Sequence, residues 1–422
     1  MKMRSASSIL TAVLLATGLS AEDWPQWQGR DRTDLCRETG LLKSWPASGP
    51  PLLWKATGLG QGYSTPSVAA GRIYTMGNRA NEECVIALDD TAEGKIIWST
   101  PIGSVRSDGD GMPGPRSTPT VDGDLVFALG MNGDLVCLES ATGKPRWHLD
   151  LVKDFGGQMM SQWAFSESPL VDGDRLVCTP GGKSATMVAL DKHTGSLIWK
   201  AESPSGDKAG YSSIVVADVD GIKQYVQLTG KGLIGIDAAS GKFLWRYNRM
   251  ANRVANISTP IVRGNLIFCS TSYNAGSALV RLERVKDGIE AHEVYFLPGK
   301  VFQNHHGGVV LVGEYLYGGH GQNKGIPVCI EFATGKVMWR HENPAGSRSA
   351  AVLYADGELY FRYENGVLAL VDASPAGYQE RARFALPDKS GKPSWPHPVI
   401  ANGKLYIRDQ DTMLCFDVKK HS

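Results

Sequence analysis

The 422-residue sequence has no excess of either charge: 44 Lys and Arg stand against 43 Asp and Glu, a net charge of +1. A chain so balanced offers no electrostatic footprint for nucleic acid and no general pull toward anionic lipid. Nor does it contain a run approaching the roughly 20 apolar residues of a spanning helix, so no integral membrane segment is expected. The seven cysteines, Cys36, Cys84, Cys137, Cys178, Cys269, Cys329 and Cys415, include no Cys-x-x-Cys and no adjacent pair. This excludes a zinc ribbon and the close-spaced framework of a small stapled domain. No phosphate-binding loop, Gly-x-Ser-x-Gly elbow or zinc-protease motif occurs. What is abundant is glycine, at 49 residues, and tryptophan, at 11, the composition of many tight turns around a periodic aromatic position.

The first residues read as a targeting segment. Lys2 and Arg4 precede an apolar stretch from Ile9 to Leu19, small residues follow, and Glu22-Asp23-Trp24 is the expected mature start. Residues 1–21 are therefore expected to be a signal peptide and the protein to be exported, periplasmic or secreted. With no cysteine near that point, a lipid anchor is not expected.

A unit of roughly 40 to 50 residues repeats through the rest of the chain, the period of a propeller or an array. It opens with Ser/Thr-x-Pro and an apolar strand, turns at Gly, runs through a second strand to apolar-x-Leu-Asp/Glu, and closes on Thr-Gly-Lys and Trp. Ser117-Thr118-Pro119 leading to Leu138-Glu139, Thr142-Gly143-Lys144 and Trp147 is a clear copy. Successive copies place an aromatic residue at Trp54, Trp98, Trp147, Trp199, Trp245, Tyr295, Trp339 and Phe384. These eight are read as structural residues docking between blades. Cys137, Cys329 and Cys415 fall at one equivalent position where other repeats carry Ala or Gly, so they read as small core residues. The last unit, ending at Phe416-Asp417, lacks its own terminal aromatic strand, and Pro51 to Lys55 supplies one. The expected architecture is an all-β, eight-bladed propeller over residues 51–418, its ring closed by an N-terminal strand, preceded by an extension over 22–50. Seven blades would result if a degenerate unit were not a blade.

The x-Leu-Asp, Thr-Gly-Lys-x-x-Trp repeat resembles the tryptophan-docking repeat of the pyrroloquinoline-quinone-like propellers. These include the quinoprotein alcohol dehydrogenases and the barrel-assembly propeller lipoprotein of bacterial outer membranes. Trp24-Pro25-Gln26-Trp27-Gln28-Gly29, followed by Arg30 and Arg32, is similar to the N-terminal signature of small exported quinone-like repeat proteins. One propeller scaffold carries oxidoreductases, scaffolds and binding modules alike.

In such a ring the residues just before each inner strand converge on the mouth of the central channel. The positions so selected are Tyr63, Arg116, Trp163, Tyr211, Asn256, His305 with His306, Arg348, and Trp395 with His397. Loops between second and third strands add Asn132, Lys183, Asn274, His320 and Asn323. Aromatic faces mixed with donors and cations suit an anionic or polyhydroxylated ligand, or a partner's extended segment. The competing reading gives these side chains only water and loop contacts. His305, His306, His320 and His397 could meet around a metal, but adjacent histidines on a strand point to opposite sides, so at most one of His305 and His306 should face the channel, and no metal ligand set is assigned. Asp108-Gly109-Asp110-Gly111 opens like a calcium loop without the later ligands and reads as a surface turn.

The resemblance to dehydrogenases implies pyrroloquinoline quinone with calcium at the mouth and an Asp base. Trp163 would then be a cofactor platform and Asn256 a metal ligand, but no catalytic Asp is recognisable beside them, and the adjacent cysteines that cover the quinone in those enzymes are missing. No catalytic residue and no cofactor is assigned. The preferred reading is a monomeric, non-catalytic binding or scaffold propeller of the cell envelope, engaging an envelope protein or a small polar ligand. The alternative is a quinone-dependent oxidoreductase acting on alcohols or sugars.

Overall fold

A computed structural model describes residues 22–106, 112–286 and 288–421. The targeting segment and the Asp108 to Gly111 loop lie outside the described residues. Among the described residues the chain forms eight sheets arranged as blades, seven of four antiparallel strands and one of five in which the fifth strand runs parallel to its neighbour. Blade 1 comprises Ser67–Ala69, Arg72–Arg79, Glu82–Asp89 and Lys95–Ser104; blade 2 begins with Thr120–Asp122, blade 3 with Leu170–Asp172 and blade 4 with Val215–Val219. Blades 5 and 6 begin with Ile261–Arg263 and Val309–Val312, and blade 7 with Ala350–Ala355. Blade 8 takes Val399–Ala401, Lys404–Asp409 and Thr412–Asp417 from the C-terminus and its outer strand, Leu52–Ala56, from the N-terminal side, with Trp54 opposite Cys415. Radial repetition of this kind leaves each blade only short, protected edges. Among the described residues no helix is long and apolar enough to cross a membrane.

The periodic aromatic fills the seam to the next blade. The indole N–H of Trp98 donates to the Ser140 carbonyl at 3.2 Å, that of Trp147 to Lys192 at 3.0 Å, and that of Trp199 to Ala238 at 3.2 Å. Trp339 reaches Ser374 at 2.8 Å and the Tyr295 hydroxyl reaches Phe332 at 2.9 Å. Beneath the rings of Trp54, Trp98, Trp147, Trp199 and Tyr295 sits the glycine of the following unit's turn. A Cβ on Gly143 would lie 2.6 Å from Trp98 and one on Gly241 2.7 Å from Trp199, and both glycines have φ near +75° (+72° and +75°). Glycine is thus required twice over, by the left-handed turn and by the ring lying on it.

The strand partner of each aromatic explains the small residues seen in sequence. Trp98 faces Ala87, Trp147 faces Cys137, Trp199 faces Ala189, Trp245 faces Gly235, and Trp339 faces Cys329. Tyr295, smaller than Trp, faces the larger Leu279, while in blade 7 the equivalent pair is Leu370 with Ala382, and Phe384, read in the sequence as the docking aromatic, lies two residues further on opposite Leu368. Indole bulk is exchanged for side-chain bulk across the strand pair, which keeps the seam close-packed. All seven cysteines are buried and free.

Residues 24–36 run inside the ring and plug its channel. Trp24 bridges Val68 of blade 1, the Pro25 carbonyl accepts from Val121 N of blade 2 at 2.8 Å, and Leu35–Cys36 adds a parallel strand to the inner strand of blade 7. The buried Arg32 guanidinium donates to the Ser168 carbonyl at 3.1 Å, the Ile214 carbonyl at 2.9 Å, and the Pro169 carbonyl, tying blades 3 and 4 together. Trp27 Nε1 donates to Thr259 Oγ1 at 2.9 Å at the start of blade 5. One segment therefore satisfies inner-strand groups around nearly the whole ring, where an empty channel would leave them to water.

Candidate functional site

Above the plug, the loops leading into the inner strands surround a cavity of about 320 Å³. Tyr63, Arg116, Trp163, Tyr211, His305, His306, Arg348 and Trp395 all line it. The Ser/Thr-x-Pro start of each unit fixes these positions, because the residue before it is the last one outside the ring. The floor is formed by Trp27 and Gln28 of the plug.

The rings are organised. Tyr63 and Trp395 stack with centroids 4.2 Å apart, and the Arg116 guanidinium carbon lies 5.7 and 5.8 Å from those two centroids. Arg116 is held by the carbonyls of Trp163 at 2.8 Å and Met112 at 2.9 Å. A cation over a stacked pair adds an electrostatic attraction to the aromatic face. Trp163 meets Tyr211 edge to face at 6.0 Å, and the Tyr211 hydroxyl lies 2.6 Å from Ser161 Oγ. Burial raises the Tyr211 phenol, which stays protonated. Two bulky residues of the cavity, Tyr273 at φ +59° and Arg348 at φ +66°, sit in the left-handed region that their side chains disfavour. Such strain persists only where surrounding contacts over-determine the backbone.

Six residues expected at the mouth do not line the cavity: the loop residues Asn132, Lys183 and Asn274, and Asn256, His320 and His397. Asn256 is fully buried, its Nδ2 donating to the Thr229 carbonyl at 2.9 Å and its Oδ1 accepting from Asn252 N at 3.0 Å, so both ends of the amide are used in pinning a loop. His320 packs against Phe302, and its Nδ1 accepts from Gln303 N at 3.3 Å; burial first, then Arg340 and Lys324, pull its pKa down to about 4. His397 points into the channel instead of out of it. Its Nδ1 lies 2.9 Å from Asp34 Oδ2, and its ring sits 4.5 Å from Trp27, so it anchors the plug. The four-histidine cluster is therefore not assembled.

The expectation that at most one of His305 and His306 faces the channel is also overturned. Both line the cavity, with rings stacked at 3.6 Å. They lie in the loop ahead of blade 6, not on a strand, so alternation does not apply. Of the loops between second and third strands, Asn323 reaches the cavity, as do Tyr273 and Glu364. Neither Tyr273 nor Glu364 stands out in the sequence. The signal that could have found Glu364 is an acidic residue just past the blade 7 strand Glu358–Tyr363, where the other units carry Ala80, Gly130, Thr179, Gly230, Ser272, Gly321 and Gln410.

Glu364 is buried, accepts from Ser349 N at 3.3 Å and lies 3.3 Å from His306 Nδ1. Burial pushes its carboxyl up, but His306, Ser349 and Trp395 outweigh that and hold it below the ordinary carboxylate value. His305 is pulled down to about 2 by burial and then by its neighbour His306, so it is neutral at physiological pH.

Residues 81–341 match the family model described as outer membrane protein assembly factor BamB. The chain belongs to this family. Within it, the chain is 26% identical over 189 residues to the BamB of Kangiella koreensis, covering 43% of this chain and 42% of that protein. To the BamB of Burkholderia pseudomallei it is 26% identical over 291 residues, 59% of this chain and 73% of that one. The first of these matches thus spans less than half the relative's length. The crystal structure of BamB from Moraxella catarrhalis superposes with a TM-score of 0.61 at 12% identity, covering 87% of this chain and 100% of that one. A europium-containing methanol dehydrogenase gives 0.63 at 14% identity over 92% of this chain and 89% of that one. At these identities the structural likeness is one of fold.

A bound quinone with calcium, as the dehydrogenase resemblance implies, does not fit the residues present. Calcium takes six to eight oxygen ligands, whereas Glu364 is the single carboxylate among the described residues lining the cavity. Asn256 has its amide committed to backbone, and no cysteine pair is available to cover a quinone. No catalytic step through such a group is derived.

Proposed function

We propose that this chain is an exported, non-catalytic binding propeller of the cell envelope, whose channel mouth receives an extended segment of an envelope protein. The observation that carries this reading is the cavity itself: a cup floored by Trp27 and Gln28 of the chain's own plug and walled by Tyr63, Trp163, Tyr211, Tyr273 and Trp395. At about 320 Å³ it stands at the small end of ligand pockets, roughly 300–1,000 Å³, and suits one or two inserted side chains of a longer segment. Large rings held in place lose little entropy on binding, which is why such residues dominate binding hot spots. Arg116 and the exposed Arg348 favour an acidic group beside the inserted side chain. The relatives' name, outer membrane protein assembly factor, supports an envelope partner.

The test places a photo-crosslinking residue at Arg348, on the mouth, and at Val216, exposed on blade 4. In envelope preparations an adduct with a defined outer-membrane assembly protein is expected from the first position and not the second. A parallel titration with pyrroloquinoline quinone and calcium is expected to show neither binding nor dye-linked oxidation of alcohols and sugars. Stoichiometric quinone binding with turnover would replace this reading by a dehydrogenase.

A further inference from the structure

On the side of the cavity formed by blades 6 and 7, His305, His306 and Glu364 bring one ligand atom each to within 4.8 Å of one another. His306 Nδ1 lies 3.3 Å from a Glu364 carboxylate oxygen. That nitrogen is buried, yet it makes no hydrogen bond. Nitrogen and oxygen therefore face a shared space without being aligned on each other. Their separation is that of two ligands about 2.0–2.1 Å from a tetrahedral ion, roughly 3.3–3.4 Å apart.

We propose that His305, His306 and Glu364 hold a divalent transition metal ion of the zinc class, with a remaining coordination position open to the cavity. The donor set decides the class of ion. Two imidazoles and one carboxylate suit zinc and its first-row neighbours, while calcium and magnesium require oxygen donors. Three protein ligands with an open position is the pattern of zinc sites that accept a further ligand.

The surroundings prepare the ligand atoms. Ser349 Oγ donates to Asn323 Oδ1 at 3.5 Å and lies 3.1 Å from His305 Nδ1. With its proton directed to Asn323, the hydroxyl accepts from an Nδ1–H, which leaves the lone pair on Nε2. That atom lies 3.1 Å from the Tyr273 hydroxyl, at the cavity wall. Ser349 also donates its backbone N–H to Glu364, so one residue orients two of the three ligands. His306 and Glu364 both border open cavity, which leaves their side chains room to turn toward an ion. The site goes beyond the binding reading above and does not depend on it.

The experiment is Zn²⁺ loading of the purified chain, dialysis against metal-free buffer, and elemental analysis, with Co²⁺ as a visible-absorption probe of coordination. The wild type is expected to retain one ion per chain and to give a low-symmetry Co²⁺ spectrum. His306→Ala and Glu364→Gln should each weaken Zn²⁺ binding by about 10-fold or more and remove the spectrum. His306→Gln serves as the conservative second variant if His306→Ala unfolds. Ser349→Ala, at a positioning residue, should shift the Co²⁺ spectrum and weaken binding less, while His320→Ala should leave both unchanged. A wild type that retains no stoichiometric Zn²⁺, or folded His306 and Glu364 variants that bind it as tightly as wild type, would overturn the assignment.

Discussion

The plug makes the most demanding prediction, and Arg32→Ala is the perturbation that tests it. Arg32 is buried and donates to three main-chain carbonyls at the starts of blades 3 and 4, with a further bond from its Nε to Gln26 Oε1 at 2.9 Å. Hydrogen bonds from a charged group contribute about 1.5–3 kcal/mol each, so the three carbonyl bonds set an upper bound of roughly 4.5–9 kcal/mol. Two effects reduce it. The guanidinium is itself costly to bury, as shown by a pKa that burial pulls down to about 10 against the opposing pull of Glu167. Water can also reach the vacated carbonyls from a second cavity of about 610 Å³ on the far side of the plug, which Arg32 lines. A net loss of about 3 kcal/mol is expected, in line with removal of one partner from a buried charged network. Urea unfolding followed by tryptophan fluorescence and near-ultraviolet circular dichroism measures it. Arg32→Lys should fall between wild type and Arg32→Ala, because a single ammonium cannot span three carbonyls as the planar fork does. Arg30→Ala, on an exposed neighbour, should change stability by less than about 0.5 kcal/mol. If Arg32→Ala matched wild type, the plug would be an appendage and the reasoning would fail.

Further outcomes follow from the seams, the buried acids and the mouth. Ala189→Leu should destabilise by about 1–3 kcal/mol by overpacking against Trp199, and Trp199→Tyr in the same chain should recover part of that loss, read by thermal unfolding. Burial pushes the Glu83 carboxyl from the ordinary 4.5 up to about 8, against the Met131 N–H that favours ionisation. The folded state thus holds a proton that the unfolded chain releases, and stability should fall as pH rises from about 5 to 8, by up to roughly 4 kcal/mol from this group. Glu83→Gln should flatten that dependence in denaturant titrations at several pH values; an unchanged profile would refute it. Trp395→Ala removes the ring that contacts both Tyr63 and His306, and should weaken capture of the partner segment at least about 10-fold in crosslinking yield while leaving the unfolding midpoint within a few degrees.

Much of the ring was legible because its determinants are local and repeated. Each turn glycine, strand-end acid and docking aromatic recurs at the same offset, so the repeat could be read even through Tyr295 and Phe384. The reason for Tyr295 was not legible, since it lies in Leu279 on the facing strand, and neither was the displacement of Phe384 by two residues from the docking position, which Ala382 occupies opposite Leu370. The mouth was legible in the same way: Tyr63, Arg116, Trp163 and Tyr211 precede inner strands, and a residue in that place has little choice but to face the channel entrance. The same rule placed Asn256 and His397 there and failed, because each found a stronger polar partner in Thr229 or Asp34.

By itself, the sequence pointed to a ring of eight blades, with seven as the alternative, to its closure by the strand around Pro51 to Lys55, and to the set of loops around the channel, all of which follow from periodic patterning and turn chemistry. Tertiary structure decided what fills that ring. The plug, the Asp34–His397 pair and the meeting of His305, His306 and Glu364 join residues up to 363 positions apart. No period records such contacts. They arise because closing the ring brings distant loops to one axis, where buried polar groups must find partners.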